Sequence, residues 1–129
     1  MKDKIVSFDF DDTLSKNHVQ KYAKELIIRG VEVWIVTSRY DELHKHLYKS
    51  NPTLNDLWIV CDDLNIPRHR VRFTCMKWKG DYLKDTNVIW HLDDNHEEFK
   101  YFNKIKTTAI QVNSGNWKHK CEKLLNYER

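Results

Sequence analysis

The sequence predicts an α/β fold: a doubly wound three-layer α/β/α sandwich around a mainly parallel sheet of about five strands. Three observations carry that expectation. Apolar runs rich in β-branched and aromatic residues recur at 5–8, 31–37, 71–74, 88–92 and 107–112, each of strand length. Segments with apolar residues at helical spacing lie between them. The strongest runs end in carboxylates or hydroxyls, as expected where parallel strands deliver their ends to one loop-lined edge.

The first run (Ile5, Val6, Phe8) drives into Asp9, Asp11 and Asp12 and closes on Thr13 and Leu14. Acids packed so closely repel one another and require a cation or a proton to offset them. After a polar link at 15–17, Val19, Tyr22, Ala23, Leu26 and Ile27 fall on one face of a helix, and Gly30 stands as its C′ residue. The run at 31–37 ends in Thr37 and Ser38, with Arg39 and Tyr40 beyond, completing a strand–helix–strand unit of the parallel kind. Leu43 and Leu47 mark a short helix ending near Pro52, and Leu54, Leu57, Trp58, Cys61 and Leu64 mark another that stops before Pro67. Both are expected to carry packing. A short alternating strand at 71–74 precedes Lys77, Trp78, Lys79 and Gly80, then a helical turn through Tyr82 and Leu83. The run at 88–92 again ends in acids, Asp93 and Asp94. A helix over 95–102, a strand over 107–112 and a last helix with Trp117, Cys121, Leu124 and Leu125 on one face complete the chain. Trp34 and Trp90, inside strands, are expected in the core.

At 129 residues the chain is expected to form one domain, 1–129. With 40% hydrophobic residues and only 3 Gly and 2 Pro it is neither disordered nor of low complexity. A formal charge of +3 permits phosphorylated or polyanionic ligands, nucleic acid among them, without requiring one. Cys61, Cys75 and Cys121 are an odd set without C-x-x-C spacing, so reduced thiols are expected. No secretory apolar stretch precedes the first strand, and no apolar run approaches the roughly 18 residues of a membrane span. A soluble, cytoplasmic protein with no membrane partner is therefore expected.

Every strand of a parallel sheet points the same way, so Asp9, Asp11, Thr37, Lys79, Asp93 and Asp94 are expected to converge on one edge. Hard oxygen donors favour Mg²⁺, which takes one or two carboxylates, waters and a substrate phosphate. His44 and His46 lie two apart on a helix, do not face one another, and lack the arrangement that zinc needs. A lysine, the hydroxyls of Thr37 and Ser38 and a metal around a free carboxylate describe a site that handles phosphate.

The run DFDDTL at 9–14, Thr37 after the second strand, Lys79 opening a helix and the acid pair Asp93 and Asp94 resemble the four motifs of the haloacid dehalogenase-like (HAD) hydrolases. The match runs in order over nearly the whole chain. The resemblance implies that Asp9 is a nucleophile forming an aspartyl-phosphate. It implies that Asp11 protonates the leaving oxygen and then activates water; for this, Asp11 is expected among carboxylates that favour its protonated form. Thr37, with Ser38 beside it, and Lys79 would bind phosphoryl oxygens, with Lys77 as the rival lysine. Mg²⁺ would be held by Asp9, the Asp11 main-chain carbonyl, Asp93 and Asp94, the last directly or through water. The gaps between motifs leave no room for a lid domain, so the resemblance is to small capless members that accept exposed substrates or oligomerise over the site. The implied substrates are a nucleotide, a nucleic-acid terminal phosphate or a sugar phosphate.

Two other classes compete. A non-catalytic module would keep the fold and the metal site as an interaction surface, but intact Asp9, Asp11, Lys79 and Asp93 argue for chemistry. A phosphorylation-driven receiver is also doubly wound, but its accepting aspartate would end a central strand in place of the first. Asp12 reads as a solvated turn residue. Residues 68–79 carry Arg68, Arg70, Arg72, Lys77 and Lys79 among Phe73 and Trp78, which suits nucleic acid. Arg68 and Arg70 precede the strand and belong to the opposite edge, which favours an ordinary solvated stretch. Arg39, Tyr40, His96 and residues 113–116 follow strand ends, where loop polarity explains them as well as substrate contact does. His91 reads as a satisfied buried histidine, and the cysteines as small apolar packers.

Overall fold

The β-branched runs pair side by side as one parallel sheet in a computed structural model that describes residues 3–47 and 53–127. The strands are β1 (Ile5–Phe8), β2 (Glu32–Thr37), β3 (Val71–Phe73), β4 (Val88–Asp93) and β5 (Thr108–Gln111), in the order β3-β2-β1-β4-β5. The chain starts in the middle, builds to one edge, then crosses back over β1 to build the other. The order reverses between β1 and β4, where open α/β sheets leave a crevice beyond the strand ends.

Helices α1 (Asn17–Ile28), α2 (Asn55–Leu64), α3 (Lys79–Leu83) and α4 (Trp117–Leu125) lie on both faces of the sheet. The larger core joins Val6, Phe8, Val33, Ile35, Trp90 and Leu92 of the sheet to Val19, Tyr22 and Leu26 of α1, Leu57 and Cys61 of α2, and Cys121 and Leu125 of α4. The other face is thinner, with Val36 and Val88 against Leu83 of α3 and Phe102 of a 3₁₀ segment, His96–Phe102. Alternation along the strands assigns each side chain to one face or the other. Helix α1 ends as its sequence requires: Gly30 takes φ +87°, and Gly30 and Val31 amides close back on Ile27 and Leu26 carbonyls. Glu122 of α4 accepts from the Tyr22 hydroxyl and from Arg29, and the Lys4 ammonium donates to the Leu125 carbonyl. The last helix is thereby tied to the first strand and first helix.

Three expectations need correction. Leu43 and Leu47 do not carry packing: the chain makes only a 3₁₀ turn at Lys45–Leu47, and both leucines are exposed. Pro52, expected near the end of that helix, lies outside the described residues. The helix over 95–102 is a 3₁₀ segment, its first turn capped by the Asn95 side chain, which accepts from the Glu97 amide. Trp34 is only partly buried against the thinner face, with the Arg72 guanidinium 4.8 Å above its ring, whereas Trp90 is fully buried between Phe8 and Tyr22. Among the described residues, no helix is long and apolar enough to cross a membrane.

Candidate active site

Asp9 is the first residue past β1, and its amide still pairs with the Leu92 carbonyl of β4 at 2.8 Å. The chain then closes a single wide turn, with Leu14 N–H on Asp9 O and Ser15 N–H on Phe10 O. The turn buries Phe10, Thr13 and Leu14 and leaves Asp11 and Asp12 exposed. Asp12 adopts φ +57°, a left-handed conformation that aspartate tolerates better than most residues. Thr13 reaches back to donate to Asp9 Oδ2 at 3.3 Å.

Lys79 enters from the opposite side as the first residue of α3. Its amide donates to Glu98 Oε1 at 2.9 Å, capping the helix. Gly80 lets α3 approach so closely: a Cβ there would sit 2.4 Å from the Tyr101 carbonyl oxygen. The Lys79 ammonium then meets Asp9 Oδ1 and Asp93 Oδ2, both at 2.7 Å, partners 70 and 14 positions away in sequence. Asp94 completes a group with Asp9 and Asp93 in which one oxygen of each lies within 4.8 Å of the others. An open cleft of about 350 Å³ covers these groups and is also lined by Asp11, Asp12, Ser38, Asn95 and His96.

Not every expected residue faces the cleft in the same way. Ser38 lines it, while Thr37 is fully buried with its hydroxyl accepting the Arg39 amide at 3.3 Å. Lys77 is exposed and is not among the lining residues. The loop at 37–39 is braced from β3: amides of Thr74, Cys75 and Met76 bond the carbonyls of Thr37, Arg39 and Ser38. Cys75 and Met76 both hold positive φ, a costly backbone at a loop beside the site.

Asp11 lines the cleft with the other acids, as expected, but its carboxylate is held by a cation that was not expected there from the sequence. The Arg39 guanidinium donates through Nε and Nη2 to both Asp11 oxygens, at 3.0 and 2.7 Å. Through Nη1 and Nη2 it donates to both oxygens of Asp56, at 2.8 and 2.9 Å. It also lies 5.0 Å from the Phe10 ring centroid, so it is buried although both acids are largely exposed. Only arginine offers this planar double fork. Arg39 had a sequence signal, its place just after a hydroxyl pair at a strand end; Asp56, inside a helix, had none.

The electrostatics follow from one ammonium serving two buried acids. Burial pushes the Asp93 carboxyl up, but hydrogen bonds from His91 and Lys79 outweigh it and hold the group far below the usual carboxylate range. For Asp9, burial together with the Asp93 charge outweighs Lys79, and its pKa stands well above the ordinary value. Burial opposes the charge on Lys79, yet Asp9 and Asp93 raise its pKa further. An all-oxygen donor group in which acids outnumber the ammonium fits a hard divalent cation such as Mg²⁺. Lys79 takes Asp9 Oδ1 and Asp93 Oδ2, so Asp9 Oδ2 and Asp93 Oδ1 are the oxygens it leaves to such an ion.

Behind Asp93, His91 Nε2 lies 2.7 Å from its Oδ2, and His91 Nδ1 lies 2.8 Å from Ser7 Oγ. Burial lowers the His91 pKa below its ordinary 6.5. The unfolded chain therefore binds a proton, as pH falls below about 6.5, that the folded chain refuses, so stability is present above that pH and is lost beneath it. In the metal-free protein the His91 contribution to unfolding free energy is expected to fall as pH drops through about 6.5. Asp9 contributes oppositely, since its raised pKa favours the folded state as pH falls, so the His91 part is read as the difference between wild type and a variant without the imidazole. Urea titrations of wild type and His91→Gln check this, and equal pH dependence in the two would assign the loss elsewhere.

No family model matches the chain, and no curated protein matches it.

Proposed function

We propose that the chain is a capless, Mg²⁺-dependent phosphatase of the HAD kind, built on a three-layer α/β/α sandwich and working through an aspartyl-phosphate on Asp9. The observation that carries the reading is the Lys79 ammonium at 2.7 Å from both Asp9 and Asp93, with Asp94 in reach, at the crevice between β1 and β4. An Asp9 oxygen attacks phosphorus, the ester P–O bond breaks, and Asp11 gives its proton to the leaving oxygen. Water then attacks the aspartyl-phosphate, Asp11 takes the proton, and inorganic phosphate departs. The Arg39 fork, which donates to both Asp11 oxygens, holds this carboxyl in one orientation at the rim of the cleft, from which it reaches the leaving oxygen and the attacking water. Lys79 neutralises phosphoryl oxygens while holding Asp9 and Asp93 together, and Ser38 offers a hydroxyl at the rim. Asp9, Asp93, Asp94 and the Asp11 main-chain carbonyl would hold Mg²⁺, which when bound neutralises and orients the phosphoryl oxygens.

Between β1 and β2 the chain forms only the wide turn and α1, so nothing there covers the cleft. That openness and the +3 formal charge support a substrate with a large exposed body, a nucleotide or a nucleic-acid terminal phosphate ahead of a sugar phosphate. Buried thiols at Cys61 and Cys121 suit a cytoplasmic setting. Hydrolysis of p-nitrophenyl phosphate with Mg²⁺, and its loss by about 100-fold or more with chelator, is the expected result. A screen across nucleotides, sugar phosphates and oligonucleotides with terminal phosphates ranks the substrates. Turnover indifferent to divalent ions would remove the proposal. Arg39→Lys is expected to slow turnover nearly as much as Arg39→Ala, by about tenfold, because the fork and not the charge sets Asp11. Steady-state kcat for the two variants decides this; full activity with lysine would reduce Arg39 to a counter-ion.

A further inference from the structure

We propose that Ser7 and His91 are positioning residues for Asp93, setting the affinity of the site for Mg²⁺ through a buried chain of hydrogen bonds. The inference rests on the metal-dependent reading above. It begins with an irregularity in the sheet: Ile5 pairs with Val88 but Ser7 pairs with His91, so two steps along β1 match three along β4. Such an extra residue re-aims side chains next to a site. Here it sets His91 opposite Ser7, and the period of two along a strand puts Asp93 on the same face as His91.

All three side chains are fully buried. An imidazole in that position costs desolvation that a leucine would not, so its hydrogen bonds need a return. A neutral imidazole has one donor and one acceptor, which matches one carboxylate and one hydroxyl at its two nitrogens. The carboxylate can only accept, so Nε2–H donates to Asp93 Oδ2 at 2.7 Å and Nδ1 accepts from the Ser7 hydroxyl at 2.8 Å. The ring plane is held by Phe102, stacked at 5.6 Å and 4°. Two donors, His91 and Lys79, thus converge on Oδ2, while Oδ1 takes the Asn95 amide at 3.0 Å and is left to the ion. Hydrogen bonds behind a ligating carboxylate orient it and tune its metal, and their loss commonly weakens binding by about 10–100-fold.

The test is Mg²⁺ affinity by calorimetry, with Mn²⁺ binding followed by electron paramagnetic resonance, on wild type, Ser7→Ala, His91→Gln and His91→Leu. His91→Leu is expected to bind about 10–100-fold more weakly. His91→Gln, which keeps a donor, should recover part of that, and Ser7→Ala should lose several-fold. Nitrogen NMR of wild type should find His91 protonated on Nε2, with the tautomer mixture shifting in Ser7→Ala. A folded His91→Leu whose affinity stays within about twofold of wild type would overturn the proposal. Should that variant not fold, Ser7→Ala with unchanged affinity and unchanged tautomer does the same. Wild type that binds neither ion at millimolar concentration removes the metal-dependent reading itself, and this inference with it.

Discussion

Asp9→Asn should abolish ester hydrolysis, lowering kcat on the order of 10⁴-fold or more, while leaving the fold as stable as before or more so. The two halves of that expectation come from one cause. Asp9 is 4% exposed, and burial together with Asp93 raises its pKa well above the ordinary value, so the ionised carboxylate is disfavoured there. An amide of the same shape escapes the desolvation cost but has no anionic oxygen to attack phosphorus. Rapid acid quench with labelled substrate should trap phosphoprotein in wild type and none in the variant, and urea titration should give equal or higher unfolding free energy. Activity within about tenfold of wild type would take the nucleophile's role from Asp9.

Lys79→Met should cost about 3–5 kcal/mol, because it removes the cation from between two buried carboxylates and leaves them facing each other. For a chain of 129 residues that corresponds to a drop in Tm of roughly 10–20 °C. Added Mg²⁺ should restore part of the loss by supplying the missing positive charge, which a purely structural lysine would not allow. Lys77→Met, at an exposed position two residues earlier, should stay within about 0.5 kcal/mol. Thermal scans of both variants with and without Mg²⁺ compare them directly; a Tm for Lys79→Met equal to wild type would mean the ion pair contributes nothing.

The parallel sheet was legible in the sequence because its strands are short β-branched runs buried on both faces, and α1 was legible because its apolar stripe and Gly30 agree on where it ends. The acids at 9, 93 and 94 and Lys79 could be expected together because strand ends in such a sheet share an edge. Leu43 and Leu47 misled because two leucines at helical spacing do not guarantee a surface to bury them. Trp34 misled because a strand position is only half of burial, and the thin face has little to cover it. The Arg39–Asp56 fork joins a loop to a helix 17 positions on, and Ser7–His91 depends on an extra residue in β4, neither of which periodicity reports.

The position of β1 at the centre of the sheet has a further consequence for how the molecule comes into being. During vectorial synthesis, the segment bearing Asp9 leaves the ribosome before Lys79, whose ammonium steadies it, and the neighbouring strand β4 with Asp93 at its end follows only after both. A nascent fragment that stops before β4 carries Asp9 and Lys79 without Asp93, the second carboxylate that the ammonium holds. The buried cluster of acids around the Lys79 ammonium therefore cannot assemble until β4 has been made.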